Sequence, residues 1–113
     1  MTVNIKRIYE GADASDGYRV LVDRLWPRGV SKERAKLDVW LKEVAPTTGL
    51  REWFHHEEQK WPEFVERYRA ELDSNPAVDT LRTIIADHDT VTLLYSAHDE
   101  KDNQAVALLA YLG

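Results

Sequence analysis

Apolar positions along the chain fall into two kinds of run. "VNIKRIY" (3–9) alternates at its start, the period of a strand at a sheet edge. "YRVLVD" (18–23) is β-branched and apolar, the pattern of a buried strand. "VTLLY" (91–95) is nearly continuous, as in a parallel strand covered on both faces. The second half has helical spacing instead. Trp61, Phe64, Val65, Tyr68 and Leu72 make one stripe, with Pro62 suited to a first turn. Asn75-Pro76 reads as a cap and first turn before the stripe Val78, Leu81, Ile85. Ala105, Leu108, Leu109 and Leu112 predict a last helix, capped by Asp102 or Asn103 and ended by Gly113. A shorter helix is predicted from Thr47 or Thr48, carrying Leu50, Trp53 and Phe54.

Two segments read differently. "EGADASDG" (10–17) is polar with a glycine at each side, a surface loop. "LDVWLKEVAP" fits two periods. Leu37, Trp40, Leu41 and Val44 match a helical stripe, while Val39 and Leu41 alternate with Asp38 and Lys42 as in a strand that Trp40 interrupts. On periodicity alone it is predicted helical. Strands early, helices between and a strand–helix ending predict an α/β fold, a small, mostly parallel sheet flanked by helices. With 113 residues the expectation is a single domain over 1–113 that buries about 65% of its unfolded surface.

The absence of cysteine excludes a disulfide scaffold, a thiolate zinc site, an iron–sulfur cluster and a cysteine nucleophile. "MTVNIKRIYEG" has no long apolar stretch, so neither a signal peptide nor a membrane span is expected, and the cytoplasm is the default compartment. A net charge of −5 disfavours duplex nucleic acid as the main partner. Its distribution is uneven. Residues 1–36 carry eight Lys/Arg against five Asp/Glu, and the remainder seven against fifteen. A basic first third suits a local anion site, though ordinary scatter of surface charge gives the same count.

In open α/β sheets ligands bind beyond the carboxyl ends of the strands. Two predicted strands end in polar residues there. One runs into Asp23-Arg24-Leu25-Trp26-Pro27-Arg28-Gly29 and the other into Ser96-Ala97-His98-Asp99. If the strands are parallel neighbours, both clusters share one rim. Arg24 and Arg28 are then a fork for phosphate or carboxylate. Asp23 is placed to hold an arginine or to act as a base. Pro27 fixes the turn and Gly29 frees the backbone beside it. Ser31 is a candidate cap whose turn would add N–H groups to the site. The structural alternative is an Asp–Arg pair tying the loop to the sheet, with Trp26 packed.

"REWFHHEEQKW" (51–61) is a second candidate. His55 and His56, adjacent on a helix, point about 100° apart and lack the spacing of a zinc helix, so no metal is expected. One of them facing the rim would serve as an acid or base. The four tryptophans are read mainly as core, with stacking on a ring or an arginine the other role. No glycine-rich dinucleotide fingerprint, P-loop, GxSxG or HExxH is present, so no cofactor is expected.

"IKRIYE", "DGYRVLVDRLWPRGVSKERA", "WLKEVAPTTGLREWFHH", "RYRAEL" and "VTLLYSAHDEKDNQAVALL" together resemble the YeaO-like branch of the bacterial domain-of-unknown-function 488 family. The resemblance covers nearly the whole chain. It implies a small α/β protein and makes "DVWLKEVAP" a third strand, overriding the periodicity. The wider family often carries cysteine at the end of the late strand and Cys-His-Arg at the next helix start. Here Tyr95 and Asn103-Gln104-Ala105 occupy those regions, so that chemistry does not carry over. By the family pattern Asp23, Arg24, Trp26, Pro27, Arg28, Gly29, Lys42, Trp53, Phe54, His56, Tyr95 and Asn103 mark the site.

The leading expectation is a small anionic ligand held at the rim by Arg24 and Arg28, with Trp26, Lys42 and Asn103 as further binding residues. Asp23, His56 and Tyr95 are the candidates for proton transfer, and any reaction would be cofactor-independent hydrolysis or transfer. The competing expectation is a non-catalytic interaction module whose arginines are structural. Single-stranded nucleic acid binding is a third. The oligomeric state is not legible.

Overall fold

The computed structural model describes residues 2–113. Four strands, β1 (Thr2–Arg7), β2 (Tyr18–Leu21), β3 (Val39–Trp40) and β4 (Thr90–Tyr95), form one sheet in the order β1-β4-β2-β3. Every pairing is parallel. The helices are α1 (Lys32–Ala35), α2 (Thr48–Phe54), α3 (Trp61–Asp73), α4 (Ala77–Asp87) and α5 (Gln104–Leu112). The fold is α/β, and its inner strands are the two predicted from continuous apolar sequence.

Side-chain alternation sorts the sheet into two faces. Val20 and Val22 of the β2 run and Val91, Leu93 and Tyr95 of β4 join Phe64, Tyr68, Leu72, Leu81 and Leu108 in the larger core. The opposite face is thinner. Leu21 and Leu94 pack there with Ile8, Val30 and Ala35, flanked by Tyr9, Trp26 and Trp40. This face also buries Asp16, Arg19 and Thr92.

The caps follow the sequence. Thr47 Oγ1 accepts from Leu50 N (3.3 Å), Asn75 Oδ1 from Ala77 N (2.9 Å) and Asn103 Oδ1 from Val106 N (3.1 Å). Pro62 lies in the first turn of α3, and Gly113 ends α5. No helix among the described residues is long and apolar enough to cross a membrane.

Two local readings need correction. "DVWLKEVAP" is a strand for two residues only. Val39 and Trp40 pair with Val20 and Leu21, and Lys42–Val44 then form a 3-10 turn. That turn buries Leu41 and Val44, which explains why their spacing looked helical. The polar loop 10–17 is also more than a surface connection. Its Asp16 is 5% exposed and receives Lys6 Nζ at 3.1 Å and Arg19 Nη1 at 2.5 Å.

Candidate functional site

β2 and β4 are parallel neighbours in register, with Leu21 opposite Leu94. Their ladder runs one step further, Val22 N donating to Leu94 O at 3.0 Å. After that the Asp23 side chain replaces the backbone acceptor. Its Oδ2 accepts from Ser96 N at 2.9 Å, and its Oδ1 accepts from Gln104 Nε2 at the start of α5. The two chains part here, one into Arg24–Gly29 and the other into Ala97–Asp102. Between them opens a cleft of 630 Å³ at the carboxyl-end rim. Asp23, Arg24, Trp26, Arg28, His56 and His98 all line it.

Asp23 is 6% exposed. Burial pushes its carboxyl up to about 6, against the opposing pull of the Ser96 and Gln104 hydrogen bonds and the Arg51 charge. Its two bonds go to Ser96 and Gln104, and it does not hold Arg24. A folded-state pKa above the unfolded value makes the protonated carboxyl the stabilising form. That contribution is full below about pH 4 and is lost as pH rises through about 6, a swing of roughly 2–3 kcal/mol. Asp23→Asn removes the titration, and a turned Gln104 amide restores the second hydrogen bond. In urea melts the stability of Asp23→Asn relative to wild type should therefore improve by about 2 kcal/mol between pH 4 and pH 7.5. A pH-independent difference between the two proteins would contradict this.

Four guanidinium groups surround the cleft: Arg7, Arg24, Arg28 and Arg51. Two are pinned. Arg7, at the end of β1, donates from Nε to Ala97 O (2.8 Å) and from Nη2 to Ser96 O (3.2 Å). Arg24 donates from Nε to Pro46 O (3.0 Å) and from Nη2 to Ala45 O (2.9 Å), tying its loop to the turn before α2. In each case Nη1 has no protein partner among the described residues. Arg28 and Arg51 are exposed, and their guanidiniums make no intramolecular hydrogen bond among those residues. The loop carrying Arg28 is set by buried Pro27, by Gly29 at φ 78° and by Trp26 Nε1 donating to Val30 O at 2.7 Å. Trp26 meets Trp40 edge-on at 5.4 Å, and Trp40 Nε1 donates to Asp23 O at 2.7 Å. One indole thus packs the loop and the other fixes the strand end.

His56 stands at the mouth in the left-handed region, φ 54°. Partial burial lowers its imidazole pKa, the Asp99 carboxylate opposes this, and His55 and Arg51 add to the lowering. His55 is the left-handed cap of α2 and is absent from the lining. The cleft also leaves out Lys42, Tyr95 and Asn103. Lys42 lies over the Trp40 ring at 5.3 Å. Tyr95 is 3% exposed in the larger core, where burial raises its phenol pKa. Asn103 is fully buried as the cap of α5, its Nδ2 donating to Asp99 O at 2.8 Å. Ser31 does cap α1, but neither it nor Lys32 lines the cleft, so that turn adds no N–H group there. Residue reading missed Arg7, Arg51 and Gln104. Arg7 ends β1, so the strand-end rule applies to it too. Arg51 and Gln104 arrive on helices, with no local signal of where they face.

The family profile described as "Inactive DUF488-N3 subclade" matches residues 2–113. The chain is 45% identical over 112 residues to "Uncharacterized protein YeaO" of Escherichia coli (strain K12), covering 99% of this chain and 97% of that protein. It is 38% identical over 104 residues to "Uncharacterized protein Rv3073c" of Mycobacterium tuberculosis (strain ATCC 25618 / H37Rv), covering 92% and 88%. No solved structure matches the chain significantly.

Proposed function

Since this chain belongs to the DUF488 family, in the subclade described as inactive, we propose that its rim cleft binds a small organic anion without turning it over. The observation that carries this reading is the convergence of Arg7, Arg24, Arg28 and Arg51 on one cleft in a protein of net charge −5. Arginine gathers where a carboxylate or phosphate is to be recognised. Binding is favoured over turnover because, His56 apart, the candidates for proton transfer are already committed. Asp23 holds Ser96 and Gln104, and Arg24 holds the turn before α2. Tyr95 and Asn103 serve the core and a helix cap.

Arg28 and Arg51 can be removed without cutting a contact that holds the fold. Millimolar inorganic phosphate or citrate at low salt should raise the melting temperature by several degrees. An Arg28→Ala/Arg51→Ala variant should melt like wild type without the anion and lose most of that rise. Equal responses would rule the reading out.

A second reading is a protein-interaction module with structural arginines. One observation favours it: the Arg24 bonds to Ala45 and Pro46. Under it, Arg24→Ala lowers stability while Arg28→Ala/Arg51→Ala leaves the anion response untouched.

A further inference from the structure

The arginines address the charged end of a ligand and leave open what that charge is attached to. Cleft size bears on this. A tetrahedral oxyanion displaces on the order of three waters, about 90 Å³. The cleft measures 630 Å³, so most of it faces something other than the head group. The rest of the lining is mixed: Ser96, Gln104, His56 and His98 are polar, while Leu25, Trp26, Phe54, Phe64 and Pro46 form its apolar and largely aromatic part. Phe54 and Phe64 stack at 4.4 Å, and both line the cleft while staying almost wholly buried. Leu25 is the one large apolar side chain well exposed among the described residues, and it lies on this wall. A leucine left in water beside an aromatic wall gains when an apolar body covers it.

Charge narrows the choice further. Asp23 is the single acid on the lining, set between the two strand ends. It disfavours a second anionic group reaching down the cleft, so one head group with an uncharged body fits better than a polyanion. The shape of that body follows from its neighbours. Guanidinium planes and indole or phenyl rings both prefer a flat π face. Arg28 and Arg51 are free to lie over one, while Arg7 and Arg24 are pinned before any ligand arrives and so lose little freedom on binding.

Resting on the anion-binding reading above, we propose that the cleft takes an aromatic anion: a planar ring bearing a single phosphate or carboxylate. The head meets the arginines, and the ring lies against Leu25, Trp26 and Phe54.

Calorimetric titration of the full chain at pH 7.5 and low salt tests this with five probes: inorganic phosphate, glycerol phosphate, hexyl phosphate, phenyl phosphate and phenylacetate. Phenyl phosphate or phenylacetate should bind at least tenfold tighter than glycerol phosphate, and whichever of the two is tighter identifies the head group. Leu25→Ser, at an exposed position, should keep the circular dichroism of wild type. It should weaken the aromatic probe about five- to tenfold and leave inorganic phosphate unchanged. Equal affinity for glycerol phosphate and the aromatic probes would overturn the proposal and leave the anion site standing. So would hexyl phosphate matching phenyl phosphate. Binding of none of the five would overturn both.

Discussion

Arg19→Met should lower the unfolding free energy by about 3–5 kcal/mol, seen as a large drop in the urea midpoint. Arg19 is 4% exposed on the thin face of the sheet. Its Nη1 donates to Asp16 Oδ2 at 2.5 Å, its Nη2 to Ala35 O at 2.8 Å, and its Nε to Ala35 O and Lys36 O at 3.2 Å each. Methionine restores much of the volume and none of the donors. Asp16 is then left buried with one cation fewer, and the carbonyls at the end of α1 lose their partner. Removing one member of a buried ion pair costs far more than the pair contributes net, because the survivor stays desolvated. Lys6→Met is the comparison. Lys6 meets the same carboxylate with a side chain 19% exposed, where water replaces part of what is lost. Its cost should be about 1 kcal/mol. If the two variants are equally stable, the Arg19 network is not the main tie on this face. Burial pushes the Asp16 carboxyl up, but the Asp13 N–H, Lys6 and Arg19 together hold it below the usual range. Its contribution is therefore present near neutrality and lost as pH falls through that lowered value, the reverse of Asp23.

Gly17→Ala should cost about 3 kcal/mol or more, lowering the melting temperature by about 12 °C. Gly17 sits at φ 65° and ψ −133°, a region that side chains resist. Space compounds the strain. A Cβ there would lie 2.3 Å from Thr90 O, a backbone atom at the start of β4 that cannot step aside. The loop is held against that strand by Thr92 Oγ1 donating to Asp16 O at 2.7 Å. Gly11→Ala separates the two effects. Its φ of 82° and ψ of 156° also disfavour a side chain, but nothing lies within 4 Å of the added atom, so it should cost backbone strain alone, about 1–3 kcal/mol and less than Gly17→Ala. A melting temperature for Gly17→Ala no lower than that for Gly11→Ala would show that the close approach to Thr90 is not tight.

Both positions stand at the amino end of β2, while the cleft stands at its carboxyl end. The two rims divide the work. One carries the buried ion network and the close backbone contact that hold the sheet to its loop. The other spends its polar groups around an opening. Substitutions at Arg19 or Gly17 should change how much protein is folded, whereas those at Arg28 or Arg51 should change what the folded protein binds.

The strands "YRVLVD" and "VTLLY", all four longer helices and the caps at Thr47, Asn75 and Asn103 were legible because burial and capping are local demands on residue type. Asp23, Arg24, Trp26 and Arg28 were legible as rim residues because a parallel strand must deliver whatever follows it to one rim, whereas His56, beyond the end of α2, was marked by the family pattern. The sequence pattern could not separate residues on the cleft from those beneath it. Tyr95 ends β4 and follows Val91 and Leu93 into the core, while Asn103, eight residues on, caps α5. Nor could it choose partners. Asp23 adjoins Arg24 in the chain, but neighbouring residues of an extended segment point to opposite sides, so the carboxylate reaches Ser96 and Gln104 while the guanidinium reaches Ala45 and Pro46. Local pattern determined the inner strands, the longer helices and the rim, whereas β3 was read only through the family resemblance. Tertiary packing alone decided that Arg51, carried on α2, joins Arg7, Arg24 and Arg28 around the cleft, because a helix brings a side chain to the rim only through the way it packs against the sheet.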